Sequence, residues 1–275
     1  MNHELGIMDK TIVLKNSGEE GNILAVFCGV HGNEKAGVFA VEKILKNVEI
    51  ESGAVYFVFA NPEAIKQNKR FINKNLNRCF IDGQNGTSYE ENRAVELMEI
   101  LDKSDALLDI HASNSAKTTS FAITDNGLDI VKNMNFEIIA TGFDNLEPYS
   151  ADGYMKHKNK IGICLECGYS GESESNVDLA YNSIIQFLQY FDCIDMKISE
   201  VNINQKILHV DEVQKVTNTN FDLINEYDDF SEVKSGTTIA KDENNKYSCD
   251  RDRIILFASK GKPVGSEAYI LGNWV

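Results

Sequence analysis

The sequence lacks an excess of basic residues, a long hydrophobic run and any low-complexity tract. Its 27 lysine and arginine residues face 42 aspartate and glutamate residues, which gives a net charge of −15. This balance argues against a nucleic-acid-binding protein, because phosphate binding needs a basic face. No run of about 18 apolar residues occurs, so a membrane span is not expected either. Internal repeats are also absent, and 275 residues suit one enzyme-sized globular domain with a small addition.

A secretory signal is not expected either, since Met1 to Lys10 is polar. The six cysteines are therefore expected to be buried thiols rather than a disulfide framework, and the protein is expected to be cytoplasmic. Cys164 and Cys167 have the Cys-x-x-Cys spacing of a redox pair or of half a zinc site. No second pair follows at a suitable distance, so structural thiols are favoured.

The first two thirds of the chain alternate short apolar runs with amphipathic helical patterns. Continuous apolar runs are typical of strands buried on both faces of a largely parallel sheet. Four such strands are predicted, at Ile23–Cys28, Ala54–Ala60, Ala106–Ile110 and Ile161–Leu165. Helices are predicted from about Glu34 to Leu45, after the capping box Ser88-x-x-Glu91, and from about Val177 to Tyr190. The alternation predicts an α/β fold, with a mixed and largely parallel sheet flanked by helices.

The pattern changes after about Asp192. Short segments are separated by Gly, Asn and Asp, which form turns, and no long helical period remains. These segments are Lys206–Val210, Thr237–Ala240, Arg253–Ala258 and Glu267–Leu271. We predict a catalytic domain at 1–192 and a small all-β domain at 193–275 that caps or flanks the active site.

Polar side chains follow the predicted strands where each one ends. His31 and Glu34 come after the first strand, His111 after the third and Glu166 after the fourth. Ligands of open α/β sheets lie at the carboxyl ends of the strands, so these side chains are expected to meet at one edge.

His31, Glu34 and His111 match the three His and carboxylate ligands of a catalytic zinc, which keeps a fourth position for water. His31 and Glu34 lie three residues apart at a strand-to-helix junction, so both can face one point. Gly29 and Gly32 would let the loop turn tightly around the metal. Asp109 could orient a ligand by hydrogen bonding. A lone histidine is more often a polar turn or strand-end residue, but the three residues together favour a Zn²⁺ site, one ion per chain.

Four ordered sequence blocks resemble the succinylglutamate desuccinylase/aspartoacylase family, relatives of the zinc carboxypeptidases. The blocks are Gly29-Val30-His31-Gly32-Asn33-Glu34, then Asn61-Pro62 with Arg70-Phe71 and Asn75-Leu76-Asn77-Arg78-Cys79-Phe80, then Asp109-Ile110-His111-Ala112-Ser113, then Glu166-Cys167-Gly168. They cover roughly residues 23–168, and the β-rich C-terminal part is similar to the family's small domain in a less distinctive way.

The resemblance implies a role for four further side chains. Arg70 would polarise the scissile carbonyl and stabilise the oxyanion. Asn77 and Arg78 would clamp the substrate's α-carboxylate. Glu166 would be the general base that takes a proton from water and passes it to the leaving amine. Without the resemblance, residues 66–78 are interpreted as a basic surface loop.

The sequence departs from the family pattern at one position, and one expected substrate contact finds no match. The family usually has Asp where this chain has Asn75, which removes a carboxylate near the arginines and raises the question of how Arg78 is held. No residue matches the family's grip on the far carboxylate of an acyl-aspartate. Lys156 and His157 are candidates, although an ordinary solvated loop is the favoured interpretation.

Three tyrosines that could reach the site are left unranked: Tyr227, Tyr247 and Tyr269.

The favoured hypothesis is a zinc amidohydrolase that deacylates a small anionic N-acyl amino acid. A few arginines at the mouth of a cleft can attract such a substrate despite the negative net charge. The alternatives are a zinc carboxypeptidase acting on peptide C-termini and a non-catalytic metal-binding module, against which Glu166 and Arg70 argue. A homo-oligomer is compatible with the sequence, which does not determine the oligomeric state.

Overall fold

A mixed sheet of eleven strands organises the described part of the chain, which is residues 10–113, 118–169, 173–196 and 203–275 of a computed structural model. The described residues form fourteen strands, eleven of them in this sheet and three in a second sheet. They are β1 Ile12–Asn16, β2 Ile23–Cys28, β3 Ala54–Phe59, β4 Ala106–Ser113, β5 Phe121–Ile123, β6 Ile138–Thr141, β7 Ile161–Tyr169, β8 Lys206–Lys215, β9 Asp222–Leu223, β10 Ser231–Val233, β11 Thr238–Lys241, β12 Lys246–Ser248, β13 Arg253–Leu256 and β14 Glu267–Trp274. The helices are α1 Lys35–Asn47, α2 Pro62–Gln67, α3 Tyr89–Leu101, α4 Leu128–Val131, α5 Phe143–Leu146, α6 Ala151–His157 and α7 Glu174–Tyr190, with a 3-10 turn at Leu76–Arg78.

The centre of the sheet is parallel, as predicted. The strand order is β1-β3-β2-β4-β7-β5-β6-β8-β14-β13-β10, and β3, β2, β4 and β7 pair in parallel. Strand β2 is apolar on both faces, because Leu24 and Val26 pack in one hydrophobic cluster and Ala25 and Phe27 in another. Burial on both faces explains why its sequence is a continuous apolar run.

Helices cover both faces of this parallel block. Helices α1 and α7 contribute to the first cluster, and α3 and α6 contribute to the second. Helix α3 begins at the predicted capping box, in which the Ser88 side chain accepts from the Glu91 N–H and the Glu91 carboxylate accepts from the Ser88 N–H. The predicted fold class, a helix-flanked mixed sheet with C-terminal β structure, is confirmed.

The C-terminal strands continue the large sheet rather than stand apart from it. Strand β8 pairs in parallel with β6, and β14, β13 and β10 extend the sheet by antiparallel pairing. Strands β12, β11 and β9 form a separate three-stranded sheet. The predicted boundary at 192/193 falls between α7 and β8, and the division into two domains stays a prediction.

All six cysteines are buried and free, which confirms the expected thiols. Cys164 and Cys167 on β7 belong to hydrophobic clusters on different faces of the sheet, so they do not form a pair. Among the described helices, none combines the length and apolar character that crossing a membrane requires.

Candidate active site

His31, Glu34 and His111 converge at the carboxyl edge of the parallel strands. All three are buried, and their ligand atoms lie within 4.8 Å of one another. The Nδ1 atom of His31 lies 2.9 Å from Glu34 Oε1 and 3.1 Å from the Nδ1 atom of His111. The same nitrogen of His111 lies 3.1 Å from Glu34 Oε2. The sequence analysis predicted this convergence, and these residues form one candidate metal centre.

The loop after β2 presents His31 and Glu34 because it packs closely against α2. Gly32 has no space for a side chain, since a Cβ atom would lie 2.0 Å from the backbone carbon of Ala64. Gly29 has a φ of +64°, which favours glycine. Glu34 is the N-cap residue of α1, which begins at Lys35. The helix therefore begins one residue later than the sequence predicted.

Each histidine has a hydrogen-bond partner on the side away from the centre. The Nε2 atom of His111 lies 2.9 Å from Oδ2 of the buried Asp109, as the sequence predicted. The Nε2 atom of His31 lies 2.9 Å from the side-chain oxygen of Asn75. That oxygen also accepts the backbone N–H of Asn77 at 3.0 Å, so it is the acceptor and His31 Nε2 is the donor. Both rings therefore turn their Nδ1 atoms toward the centre.

The acceptor atoms that face one another in the centre would be stabilised by a bound cation. Burial, together with Arg70 and His111, lowers the pKa of His31 to about 4, so its Nδ1 carries a lone pair at neutral pH. Burial also acts to lower the pKa of His111, but Asp109 and Glu34 outweigh it and raise this pKa well above its usual value. The proton on His111 Nδ1 then faces two acceptors, His31 Nδ1 and Glu34 Oε2. His31 Nδ1 and Glu34 Oε1 lie 2.9 Å apart, and both atoms are acceptors with no proton between them.

A zinc ion fits this donor set. Ligands at 2.0–2.1 Å from a tetrahedral zinc lie roughly 3.3 Å apart, and the separations between the three donors are 2.9 to 3.1 Å. Two imidazole nitrogens and a carboxylate are also ligands that zinc prefers. Glu34 is held by the backbone N–H of Ala112 at 3.1 Å and by Arg70 at 3.0 Å.

Glu166 lies beside the centre on the neighbouring strand. It is paired in register with His111 across β4 and β7. Its buried Oε2 atom has no hydrogen-bond partner within the described ranges. Burial, followed by the charge of Glu34, raises the pKa of Glu166 to about 8, although His111 and Arg70 act to lower it. Both β4 and β7 continue past their predicted ends, so His111 and Glu166 lie within strands rather than in the loops that follow.

Arg70 lies on a loop held by a carboxylate that the sequence analysis did not single out. Its NH1 group donates to Glu34 Oε1. The fully buried Glu90, in the first turn of α3, accepts the backbone N–H groups of residues 72, 73 and 74 at 2.6 to 3.1 Å. The Nδ2 group of Asn61 donates to the same carboxylate. In the sequence this residue is indistinguishable from an ordinary acidic residue at a helix start.

Asn77 and Arg78 form the 3-10 turn close to the site, and both already have partners. The Oδ1 atom of Asn77 accepts the backbone N–H of Ala151 at 3.0 Å. Arg78 donates from Nε to Glu267 at 3.2 Å, pairs through NH2 with Glu147 at 2.5 Å, and donates from NH1 to the Asn77 carbonyl at 2.7 Å. Arg78 is thus held by two glutamates rather than by position 75, whose side chain contacts His31. Burial raises the pKa of Glu147, and Arg78 offsets this only in part.

The two candidates for a grip on a second carboxylate, Lys156 and His157, have other contacts in the structure. Lys156 pairs with Asp125 at 2.7 Å and Asp144 at 3.3 Å. His157 is exposed and lines a cavity with Phe80 and Tyr149. Both residues belong to α6, so the expectation of a solvated loop is wrong, because the Ser150 side chain caps a helix there.

The three candidate tyrosines belong to the C-terminal part of the fold. Tyr227 and Tyr269 pack in its hydrophobic cluster. The hydroxyl of Tyr247 donates to Asp242 at 2.7 Å. The contacts of these three side chains therefore lie in the C-terminal cluster, not among the metal-centre residues.

Comparison with known proteins identifies the family. The sequence model of the succinylglutamate desuccinylase/aspartoacylase catalytic domain matches residues 20–185, more than half of the chain. A probable aspartoacylase of Trichodesmium erythraeum is 29% identical over 210 residues, which are 66% of this chain and 69% of that protein. A probable aspartoacylase of Nostoc sp. is 26% identical over 178 residues, and the matched region spans 58% of this chain and 59% of that relative.

Solved structures show the same fold. Succinylglutamate desuccinylase from Vibrio cholerae has a TM-score of 0.82 at 18% identity, over 96% of this chain and 85% of that one. The enzyme from Vibrio parahaemolyticus gives 0.78 at 19% identity, over 96% and 86%. Together with the family match, these findings confirm the resemblance noted in the sequence. The chain therefore belongs to the succinylglutamate desuccinylase/aspartoacylase family of hydrolases.

Proposed function

We propose that this protein is a zinc-dependent amidohydrolase that removes the acyl group from a small N-acyl amino acid. One observation carries the proposal: the metal-ligand set His31, Glu34 and His111 lies next to a buried Glu166 oxygen that has no partner among the described residues. A metal-binding module has no need of such a carboxylate, whereas hydrolysis needs a base within reach of water.

Three ligands would hold the ion, and Glu166 would move the proton. Zinc, when bound, acts as a Lewis acid that acidifies water and polarises a carbonyl. The charge of a bound cation would favour the ionised form of Glu166 and so counter the rise in its pKa that burial and Glu34 cause. The ionised Glu166 accepts a proton from the attacking water and later donates it to the nitrogen of the leaving amine. Arg70 stabilises the charge that develops on the carbonyl oxygen. Its guanidinium is suited to this role because it already lies 3.0 Å from Glu34 at the centre.

The α-carboxylate of the substrate would bind to Asn77 and Arg78. Because Oδ1 of Asn77 accepts from Ala151, its Nδ2 group is the donor offered to the substrate. Arg78 has five N–H groups, and three of them bond to Glu147, Glu267 and the Asn77 carbonyl. The other two N–H groups are the donors offered to the substrate carboxylate, which would compete with the two glutamates for the charge of the guanidinium. This competition favours substrates that make a strong, charged contact.

Substrate turnover separates deacylation from carboxypeptidase activity, which uses the same types of residue. Steady-state assays would compare N-acetyl and N-succinyl amino acids with C-terminal dipeptides. We expect turnover of N-acyl amino acids, in line with relatives named aspartoacylase and succinylglutamate desuccinylase. Turnover of peptides alone would favour the carboxypeptidase and refute the deacylase.

The base assignment is tested by Glu166→Gln. This change keeps the size of the side chain but removes the proton acceptor, so kcat should fall about 10²–10⁴-fold while zinc content is unchanged. Glu137→Gln, at an exposed carboxylate, is the matched control and should retain the parental rate. An undiminished rate in the Glu166 variant would show that another group is the base. A cytoplasmic location and the absence of nucleic-acid partners also stay predictions, and a homo-oligomer stays one possible oligomeric state.

A further inference from the structure

The two histidines of the metal centre are supported by groups of different charge. His111 donates from Nε2 to the carboxylate of Asp109, and His31 donates from Nε2 to the neutral amide of Asn75. A hydrogen bond to the distal nitrogen fixes the tautomer and ring orientation of a ligand histidine and raises its basicity. A carboxylate acceptor does this more strongly than an amide, because charged hydrogen bonds are roughly twice as strong as neutral ones.

The orientation of Asn75 follows from its second contact. Asn75 caps the 3-10 turn, and its Oδ1 accepts the backbone N–H of Asn77. If the amide were flipped, its NH₂ group would face that N–H, and two donors would oppose each other. The oxygen therefore faces His31, whose Nε2 must carry a proton and whose Nδ1 must offer its lone pair to the centre.

We propose that Asn75 is a positioning residue that fixes the metal-binding tautomer of His31 while leaving it the weaker of the two imidazole ligands. The inference rests on the proposed zinc site. It means that this chain holds zinc less tightly than the same centre would with a carboxylate at position 75. The residue at position 75 thereby changes the zinc affinity through its hydrogen bond to His31, without contacting the metal itself.

Zinc affinity of the full chain tests the proposal. The metal-free protein, prepared with a chelator, is titrated with zinc in competition with a chromophoric chelator of known affinity. Asn75→Asp keeps both acceptor contacts and adds charge, so zinc should bind about tenfold or more tightly. Asn75→Leu removes the acceptor, so affinity should fall about 10–100-fold. Asn73→Asp is the charge control, since it adds the same charge to an exposed position of the same loop and should change affinity less than about threefold.

A matched exchange makes the test independent of general charge effects. Asp109→Asn gives His111 the amide that His31 has, and it should weaken zinc binding. Combined with Asn75→Asp, it moves the carboxylate from one histidine to the other and should restore affinity to near the parental value. Nitrogen chemical shifts of the imidazoles in the metal-free protein report the tautomer directly, and His31 should lose its single Nε2–H form in Asn75→Leu.

The outcomes separate this inference from the proposed function. If the parental protein binds no zinc, the proposed function fails. If it binds zinc but Asn75→Asp and Asn75→Leu have parental affinity, only the role of Asn75 is refuted. Should Asn75→Leu fail to fold, Asn75→Asp still decides, because it retains the contact to the Asn77 N–H.

Discussion

Replacing Glu90 by glutamine should destabilise the protein and disorganise the loop that carries Arg70 and Asn75. The carboxylate is fully buried, and its two oxygens accept three backbone N–H groups of that loop and the Asn61 amide. Glutamine keeps one acceptor oxygen but replaces the other with an NH₂ group. On the Oε2 side, the N–H groups of residues 73 and 74 would then face a donor and lose their acceptor.

The magnitude follows from those two lost bonds. A buried donor left without an acceptor costs about 1–3 kcal/mol, so Glu90→Gln should lower the free energy of unfolding by about 2–6 kcal/mol. If the amide turns so that its NH₂ replaces Oε1, the N–H of Ile72 and the Nδ2 group of Asn61 lose their acceptor. The Asn61 bond is the longer one, at 3.4 Å, so the cost stays within the same range.

Urea denaturation followed by fluorescence measures this change, with the midpoint and slope fitted separately. Glu99→Gln is the control, because Glu99 lies exposed on the same helix and its replacement should change stability by less than about 0.5 kcal/mol. The activity of the folded variant should fall as well, since the loop supplies Arg70. If Glu90→Gln is as stable as the Glu99 variant, the carboxylate does not hold the loop and the reasoning fails.

Three other changes test separate features. His111→Ala removes one of three ligands, so purified protein should contain much less zinc than the parent; equal zinc content by metal analysis would place the metal elsewhere. Glu267→Gln removes a competitor for Arg78, and the KM for a carboxylate-bearing substrate should fall about two- to fivefold with little change in kcat, as expected for a partly exposed ion pair; a higher KM would mean that Glu267 positions Arg78 instead. Asp144→Asn concerns pH: burial, followed by Asp152 and Asp125, raises the pKa of Asp144 to about 7 although Lys156 acts to lower it. The folded state therefore binds this proton more tightly than the unfolded state, and stability from this group is lost as pH rises from about 4 toward 7. The Tm of the variant relative to the parent should therefore rise as pH increases from about 4 to about 7 and level off above that pH, and a pH-independent difference would contradict this.

Local pattern was sufficient to predict the elements that bear the chemistry. Strands β2, β3, β4 and β7 are buried on both faces, which produces apolar runs that are visible in the sequence. Parallel strands bring their carboxyl ends to one edge, so the residues that follow them meet in space. The short strands β5 and β6 were not predicted, because runs of three or four residues carry too little periodicity.

The contacts that tune the site are not encoded in any local pattern. Arg78 and Glu267 are 189 positions apart, and their pairing depends on β14 joining the large sheet. Asn75 illustrates the same limit at shorter range. The sequence marked it as a departure near the arginines, yet its side chain turns the other way, toward His31, because the N–H of Asn77 needs its oxygen. A backbone donor two residues away thus decides which functional group a substitution affects, and position 75 contacts His31 of the candidate metal centre rather than Arg78.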